Sequence, residues 1–202
     1  MTTFSYRITT VLCFFALVSM MSPAMIMAQN PQAEIRALLT ERDQDIKALL
    51  GSPSATLSPE REARLRAVVN DIIDFEVMGE AALGSFWEPL TAAQRTDFTT
   101  VFADIVRAQS LADLDVYRSS VSIQAIEING TQAVVSTQTT YQGITTPVVY
   151  KMVKQGNLWQ VWDIILDDVS TVDGYARSFQ AVVRRRGFDT LMESLRRKQA
   201  SL

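Results

Sequence analysis

The sequence predicts a single α+β domain whose helices pack on a four-stranded antiparallel meander sheet and enclose an apolar cavity. Two observations lead to this fold class. Up to about residue 114 the apolar residues recur at helical spacing, and from residue 116 to residue 167 they alternate with polar ones. Helical spacing then returns near the C-terminus, so the sheet should lie between two helical segments of the chain.

Residues 1–28 are predicted to be a secretory signal peptide. Arg7 supplies a short positive region, a mostly apolar run extends to Val18, and small residues approach Ala28. The unbroken apolar stretch is shorter than the roughly 20 residues that cross a membrane comfortably. We therefore expect a protein exported to the periplasm, with residues 29–202 forming one mature domain.

Four helices are expected before the sheet. The first covers residues 33–50, where one stripe of Ile and Leu recurs every three or four positions. Residues typical of helix ends mark the boundaries: Gly51 after the first helix, Ser58 and Pro59 before the second, Asp74 before the third, and a Thr91–Gln94 capping box before the fourth.

The four strands are predicted at residues 116–128, 131–141, 144–154 and 158–167. Short turns that contain Gly130, Gly143 and Gly156 join them, which indicates hairpins. Alternation places Tyr150, Met152 and Trp162 on the apolar face, and Asp163 and Asp167 on the solvent side. Two helices should close the chain, separated by Gly187 as a C-cap.

The composition excludes several kinds of catalytic site. The chain has no histidine, and its only cysteine, Cys13, lies in the predicted signal peptide. Ser-His and Cys-His nucleophilic sites and zinc sites with nitrogen or sulfur ligands are therefore ruled out for the mature chain. We expect no cofactor, no metal and no enzymatic activity.

The charge balance gives no support to a nucleic-acid partner. Removing Arg7 with the signal peptide leaves 18 basic against 22 acidic residues, a net charge of −4. A cluster of cations stands near the C-terminus. Two interpretations are open: a solvated helix face, or a contact surface for anionic lipid headgroups or an acidic partner. Its members are Arg184, Arg185, Arg186, Arg196, Arg197 and Lys198.

The large apolar side chains either fill a core or line a pocket, and both interpretations stay open from the pattern alone. If they line a pocket, the residues on the apolar side of each element should contact lipid. These predicted lipid-binding residues are Val101, Phe102, Ile105, Tyr150, Met152, Trp162, Tyr175 and Phe179. No catalytic residue is predicted.

The carboxylates are expected to be solvated or to cap helices. Asp163, Asp167 and Asp168 cluster near the end of the fourth strand, but they do not follow a calcium-loop pattern. Replacing Asp163 or Asp167 by Asn should accordingly leave lipid loading nearly unchanged. An enzyme would need a carboxylate that points into the pocket, and the predicted alternation places both residues outside it.

Several short motifs, in order, resemble the toluene-tolerance auxiliary family, the MlaC family of periplasmic phospholipid-binding proteins. The first half has Ile73-Asp74-Phe75, Leu83-Gly84, Trp87 and Thr91-x-x-Gln94-Arg95-x-x-Phe98-x-x-x-Phe102. The second half has Trp159-Gln160-Val161-Trp162-Asp163, followed by Val169-Ser170, Tyr175, Phe179 and Gly187-Phe188-Asp189. The chain departs from the family at Asp168, where a glycine is usual, and at Gly174-Tyr175-Ala176, where Asn-Tyr-Arg is usual.

The resemblance implies a carrier that holds phospholipid acyl chains between sheet and helices. Such a carrier would shuttle lipid between an outer-membrane lipoprotein complex and an inner-membrane ABC transporter complex, as part of outer-membrane lipid asymmetry and toluene tolerance. Three alternatives stay open: a hopanoid-associated relative, an adaptor of the same fold with a filled core, and a carboxylate-dependent enzyme.

Overall fold

The computed structural model describes residues 30–52, 57–110 and 114–202, and the predicted signal peptide lies outside these ranges. The described helices are α1 (Pro31–Leu50), α2 (Pro59–Asn70), α3 (Phe75–Leu83), α4 (Ala92–Ser110), α5 (Thr171–Arg186) and α6 (Phe188–Gln199), with 3-10 turns at Gly84–Phe86 and Leu114–Arg118. The strands are β1 (Ser120–Asn129), β2 (Gln132–Tyr141), β3 (Ile144–Gln155), β4 (Leu158–Leu166) and β5 (Val169–Ser170).

The helices begin where the local sequence provides a cap. Ser58 accepts a hydrogen bond from the Arg61 backbone N–H, and Asp74 accepts one from the Val77 N–H. The Thr91–Gln94 capping box forms in both directions, at 2.9 and 3.3 Å. The predicted starts of α2, α3 and α4 are confirmed, and so is Gly187 (φ 85°) as the C-cap of α5.

The sheet is an antiparallel meander in the order β1-β2-β3-β4-β5. The predicted number of four strands is wrong. β5 has only two residues, Val169 and Ser170, and is too short to show any periodicity. The first strand also starts later than predicted, at Ser120, because Leu114–Arg118 forms a 3-10 turn and Ser119 Oγ bonds the Val116 carbonyl at 2.6 Å.

Strand β4 carries a bulge that changes which side chains face the interior. Lys151 pairs with Asp163, but the next residue, Met152, pairs with Val161, so Trp162 is the extra residue. The bulge breaks the strict alternation on which the predicted faces of β4 depended. Val161 therefore shares the face of Met152 and Asp163 that of Lys151, and both side chains are buried.

Two apolar clusters hold together the helices and strands that form the candidate site. The helical core joins α3, α4, α5 and α6 around Phe98, Phe102 and Phe179. The sheet core joins α1, through Ile35, to β2, β3 and β4, through residues that include Met152 and Val161. The sheet therefore packs against α1 in one cluster, while the C-terminal helices form another.

Candidate functional site

The eight predicted lipid-binding residues fall into both clusters. Six belong to the helical core or pack against it: Val101, Phe102, Ile105, Trp162, Tyr175 and Phe179. The other two, Tyr150 and Met152, belong to the sheet core with Ile35 of α1. One enclosed cavity lined by all eight is not what the structure describes, and lipid contact by each residue stays a prediction.

Aromatic side chains fill the space between α4 and α5. The Phe102 ring lies 4.9 Å from Tyr175 and 5.7 Å from Phe179 (centroid distances), both edge-on. Phe98 stacks on Phe102 at 5.5 Å. Edge-to-face pairs at these distances are favourable beyond their burial. Phe102, Tyr175 and Phe179, which the pattern grouped as one predicted site, thus contact each other directly.

An apolar cleft of about 370 Å3 lies beside this aromatic group, between the end of α4, strand β4 and the start of α5. Two of the eight predicted residues, Trp162 and Tyr175, line it. Most of its other walls are aliphatic side chains that the prediction did not include. The lining residues are Ile73, Met78, Val106, Gln109, Ser110, Tyr117, Val161, Trp162, Asp163, Ile164, Leu166, Thr171 and Tyr175.

A few polar groups also line the cleft. Tyr175 Oη donates to Gln109 Oε1, which links α5 to α4, and Tyr117 Oη donates to the Ser110 carbonyl at 2.6 Å. Burial raises the pKa of both tyrosines above the ordinary value. Both hydroxyls therefore stay protonated at neutral pH and act as hydrogen-bond donors.

Asp163 is buried, contrary to the prediction that it faces solvent. Its side chain is 1% exposed. Ser170 Oγ donates to both carboxylate oxygens at 2.8 and 3.1 Å, the Val172 N–H donates at 3.1 Å, and Lys151 Nζ lies 3.1 Å from Oδ2. Asp163 lies opposite Lys151, on the predicted face of β4, but β5 and the start of α5 cover that face. Since its oxygens already accept these bonds, Asp163 ties β4 to the start of α5.

The remaining carboxylates follow the prediction. Asp167 and Asp168 are exposed, and Asp74 caps α3. Within the described ranges, no group of three or more Asp, Glu, His or Cys side chains is arranged to hold a metal ion. Among the helices that the structure describes, none has the length and apolar character needed to cross a bilayer.

A second, larger hollow of about 560 Å3 lies between α3 and α4 and is lined largely by polar residues such as Glu76, Arg95 and Thr99. The Arg95 guanidinium packs over the Trp87 ring and donates to the Glu88 carbonyl. Polar walls of this kind suit water better than acyl chains. The apolar cleft beside Tyr175 is therefore the better candidate for an apolar ligand.

Comparison with known proteins agrees with this fold. A family model described as "MlaC protein" matches residues 40–197. The intermembrane phospholipid transport system binding protein MlaC of Haemophilus influenzae is 22% identical over 142 residues, which cover 65% of this chain. The chain spans 66% of that relative's length, slightly less than two thirds.

A solved structure gives the same architecture. The phospholipid-binding protein of Ralstonia solanacearum, determined in complex with a phospholipid, superimposes with a TM-score of 0.69 at 20% sequence identity. The match covers 84% of this chain and 97% of that one. At this identity the likeness establishes a shared fold. Because the family model matches well over half of the chain, the protein belongs to the MlaC family.

Proposed function

We propose that this protein is a periplasmic phospholipid carrier that binds acyl chains in the apolar cleft. The observation that carries the proposal is the position of the cleft between α4, α5 and β4, with mostly aliphatic walls and a few polar side chains. Such a combination of apolar walls and few polar groups is typical of sites for small apolar ligands. The phospholipid bound to the Ralstonia solanacearum protein of the same fold adds support.

A carrier is needed because phospholipid does not cross water by itself. A two-chain lipid has about 30 methylenes, each worth about 0.8 kcal/mol when buried, so leaving the membrane for water costs on the order of 20 kcal/mol. Apolar burial in a widened cleft would offset this cost. No nucleophile, proton shuttle or cofactor is required for such binding.

The cleft must widen to hold a whole phospholipid. Its volume of about 370 Å3 is near the lower end of the roughly 300–1,000 Å3 typical of ligand sites, and two acyl chains need more room than that. The neighbouring aromatic group offers a route. If α5 moved away from α4, the Phe102, Tyr175 and Phe179 rings would separate and add their space to the cleft.

The same proposal includes export and partners. Residues 1–28 would direct the chain to the periplasm, where it would exchange lipid with an outer-membrane lipoprotein complex and an inner-membrane ABC transporter complex. The support for these partners is membership of the MlaC family and the name of the Haemophilus influenzae relative.

Native mass spectrometry of the protein, expressed with its own leader and purified without detergent, tests the proposal. We expect the mass of one phospholipid above that of the mature polypeptide, and the same phospholipid in a solvent extract. A hopanoid in the extract would instead favour the hopanoid-associated alternative. A bare polypeptide mass that persists after incubation with phospholipid vesicles would favour the adaptor.

A further inference from the structure

The cleft reaches one end of the sheet, and that end exposes large apolar side chains. Leu166 lines the cleft, and Val169 is paired with it across the β4–β5 turn. Val116 precedes the cleft-lining Tyr117, and Ile144 starts β3 at the same end. These four side chains are between 51% and 71% exposed. We call them, together with Asp167 and Asp168, the mouth surface.

The tip of the mouth surface carries charge that the fold does not use. Asp167 and Asp168 are the two central residues of the β4–β5 hairpin, and both have positive φ, 48° and 62°. Asn-Gly is preferred in such turns because both positions require a left-handed backbone. Within the described part of the chain, neither carboxylate has a hydrogen-bond or ion-pair partner, and both residues are exposed.

From this arrangement we infer that the mouth surface docks on a partner protein that presents an apolar patch flanked by Lys or Arg side chains. Apolar contact around the mouth would exclude water from the path of a leaving lipid. The two aspartates would pair with the partner's cations and guide its approach. The inference rests on the proposed carrier function for its purpose, although the surface itself can be tested without lipid.

The charge distribution favours a protein partner over a bilayer at this surface. An anionic membrane would repel Asp167 and Asp168. Arg184, Arg185 and Arg186, which such a membrane would attract, lie at the opposite end of α5 from Thr171 at the cleft, about 20 Å along the helix axis. Attraction of these three arginines to an anionic bilayer would therefore act far from Asp167 and Asp168, which the same bilayer would repel.

Site-specific photo-crosslinking in intact cells of the native host locates the contact. A benzophenone side chain replaces Val169 in one full-length variant and Leu158 in a control. Leu158 is equally well exposed, at 70%, but lies in the turn region at the opposite end of the sheet. We expect an adduct with one protein from position 169, identified by mass spectrometry, and none from position 158. Equal or absent adducts at the two positions would overturn the inference.

The partner protein identified by the crosslink is then purified, and its rate of association with this chain tests the role of charge. The double variant Asp167→Asn, Asp168→Asn keeps a residue type that tolerates positive φ while removing both charges. We expect its association with that protein to be about tenfold slower than wild type at low ionic strength, and the difference to vanish at high salt. An unchanged rate at low salt would overturn the inference.

Vesicles of phosphatidylethanolamine with phosphatidylglycerol test whether the mouth surface binds a bilayer instead of a protein. We expect neither the wild type nor the double variant to float with them through the mouth surface. Flotation that is lost when Val169 is replaced by Ser would show a membrane-binding tip and overturn the inference. Native mass spectrometry of the same samples keeps the two proposals separate, because absence of lipid from the wild type counts against the carrier function alone.

Discussion

Lys151 Nζ lies 3.1 Å from Oδ2 of Asp163, and this ion pair joins the middle of β3 to the bulge of β4. The two partners differ in environment, since the Lys151 side chain is 34% exposed and that of Asp163 only 1%. Lys151 also lies over the Trp162 ring, at 5.1 Å from its centroid. The pair thus holds in place the segment of β4 that lines the cleft and that leads through β5 into α5.

Replacing Asp163 by Ala should lower the free energy of unfolding by about 3 kcal/mol, measured by urea denaturation. The change leaves Lys151 unpaired and removes the acceptor for Ser170 Oγ and the Val172 N–H. The estimate is at the low end for a broken buried pair because Lys151 is partly solvated. Asp168→Asn, at an exposed position, is the control and should shift stability by less than about 0.5 kcal/mol. Equal stability of the two variants would contradict the structural role.

The fold was predictable from the sequence where local signals decide it. Caps such as Ser58, Asp74 and Thr91 act within a few residues, so the starts of three helices could be read directly. The bulge at Trp162 could not, because an extra residue is defined only by the pairing with β3. The missed bulge explains why Trp162 was assigned to the face of Met152, whereas Asp163 was expected in solvent because its cover by β5 and α5 comes from tertiary packing.

The site was only partly predictable, for a related reason. Trp162 and Tyr175 were identified because aromatic residues at regular spacing mark the apolar side of their elements. Ile73, Met78 and Val106 also line the cleft, but they come from helices and a loop that are far apart in the chain. Val106 follows Phe102 by four residues and so lies on the same face of α4. Which residues of a helix face reach the cleft depends on how the helices pack against each other, and the sequence pattern does not determine that packing.

Filling the cleft should reduce lipid loading. Val106→Trp places an indole where Val106 lines the cleft, and we expect less bound phospholipid by native mass spectrometry while the protein stays folded. The matched control is Val101→Trp, on the same helix in the helical core but not among the cleft-lining residues. There the indole should overpack the core and cost about 1–3 kcal/mol of stability, with a smaller loss of lipid per folded molecule. The opposite ranking for loading would place the lipid in the helical core.

The bond between Tyr175 and Gln109 should slow lipid exchange, because it links α5 to α4 at the cleft. Tyr175→Phe keeps the ring contacts with Phe102 and Phe179, and we expect faster transfer of fluorescent phospholipid between donor and acceptor vesicles. Gln109→Ala should have a similar effect. The double variant should be little faster than either single one, since both remove the same bond. Fully additive rate increases would show that the two side chains act separately.

The contact between α1 and the sheet should make stability depend on pH through Glu34. Its Oε2 accepts from Lys154 Nζ at 2.9 Å and from Trp159 Nε1 at 3.2 Å, and the hydrogen bond from Lys154 is the main cause of its lowered pKa. A carboxyl whose folded pKa lies below its unfolded value stabilises the protein above about pH 4.3. That contribution is lost as the pH falls through the folded pKa.

Glu34→Gln should therefore be less stable than wild type at pH 7, and the two stabilities should converge as the pH falls below about 4 in urea unfolding series. A Glu34→Gln deficit that stays constant from pH 7 to pH 3 would mean that Glu34 stabilises α1 by packing rather than by its charge.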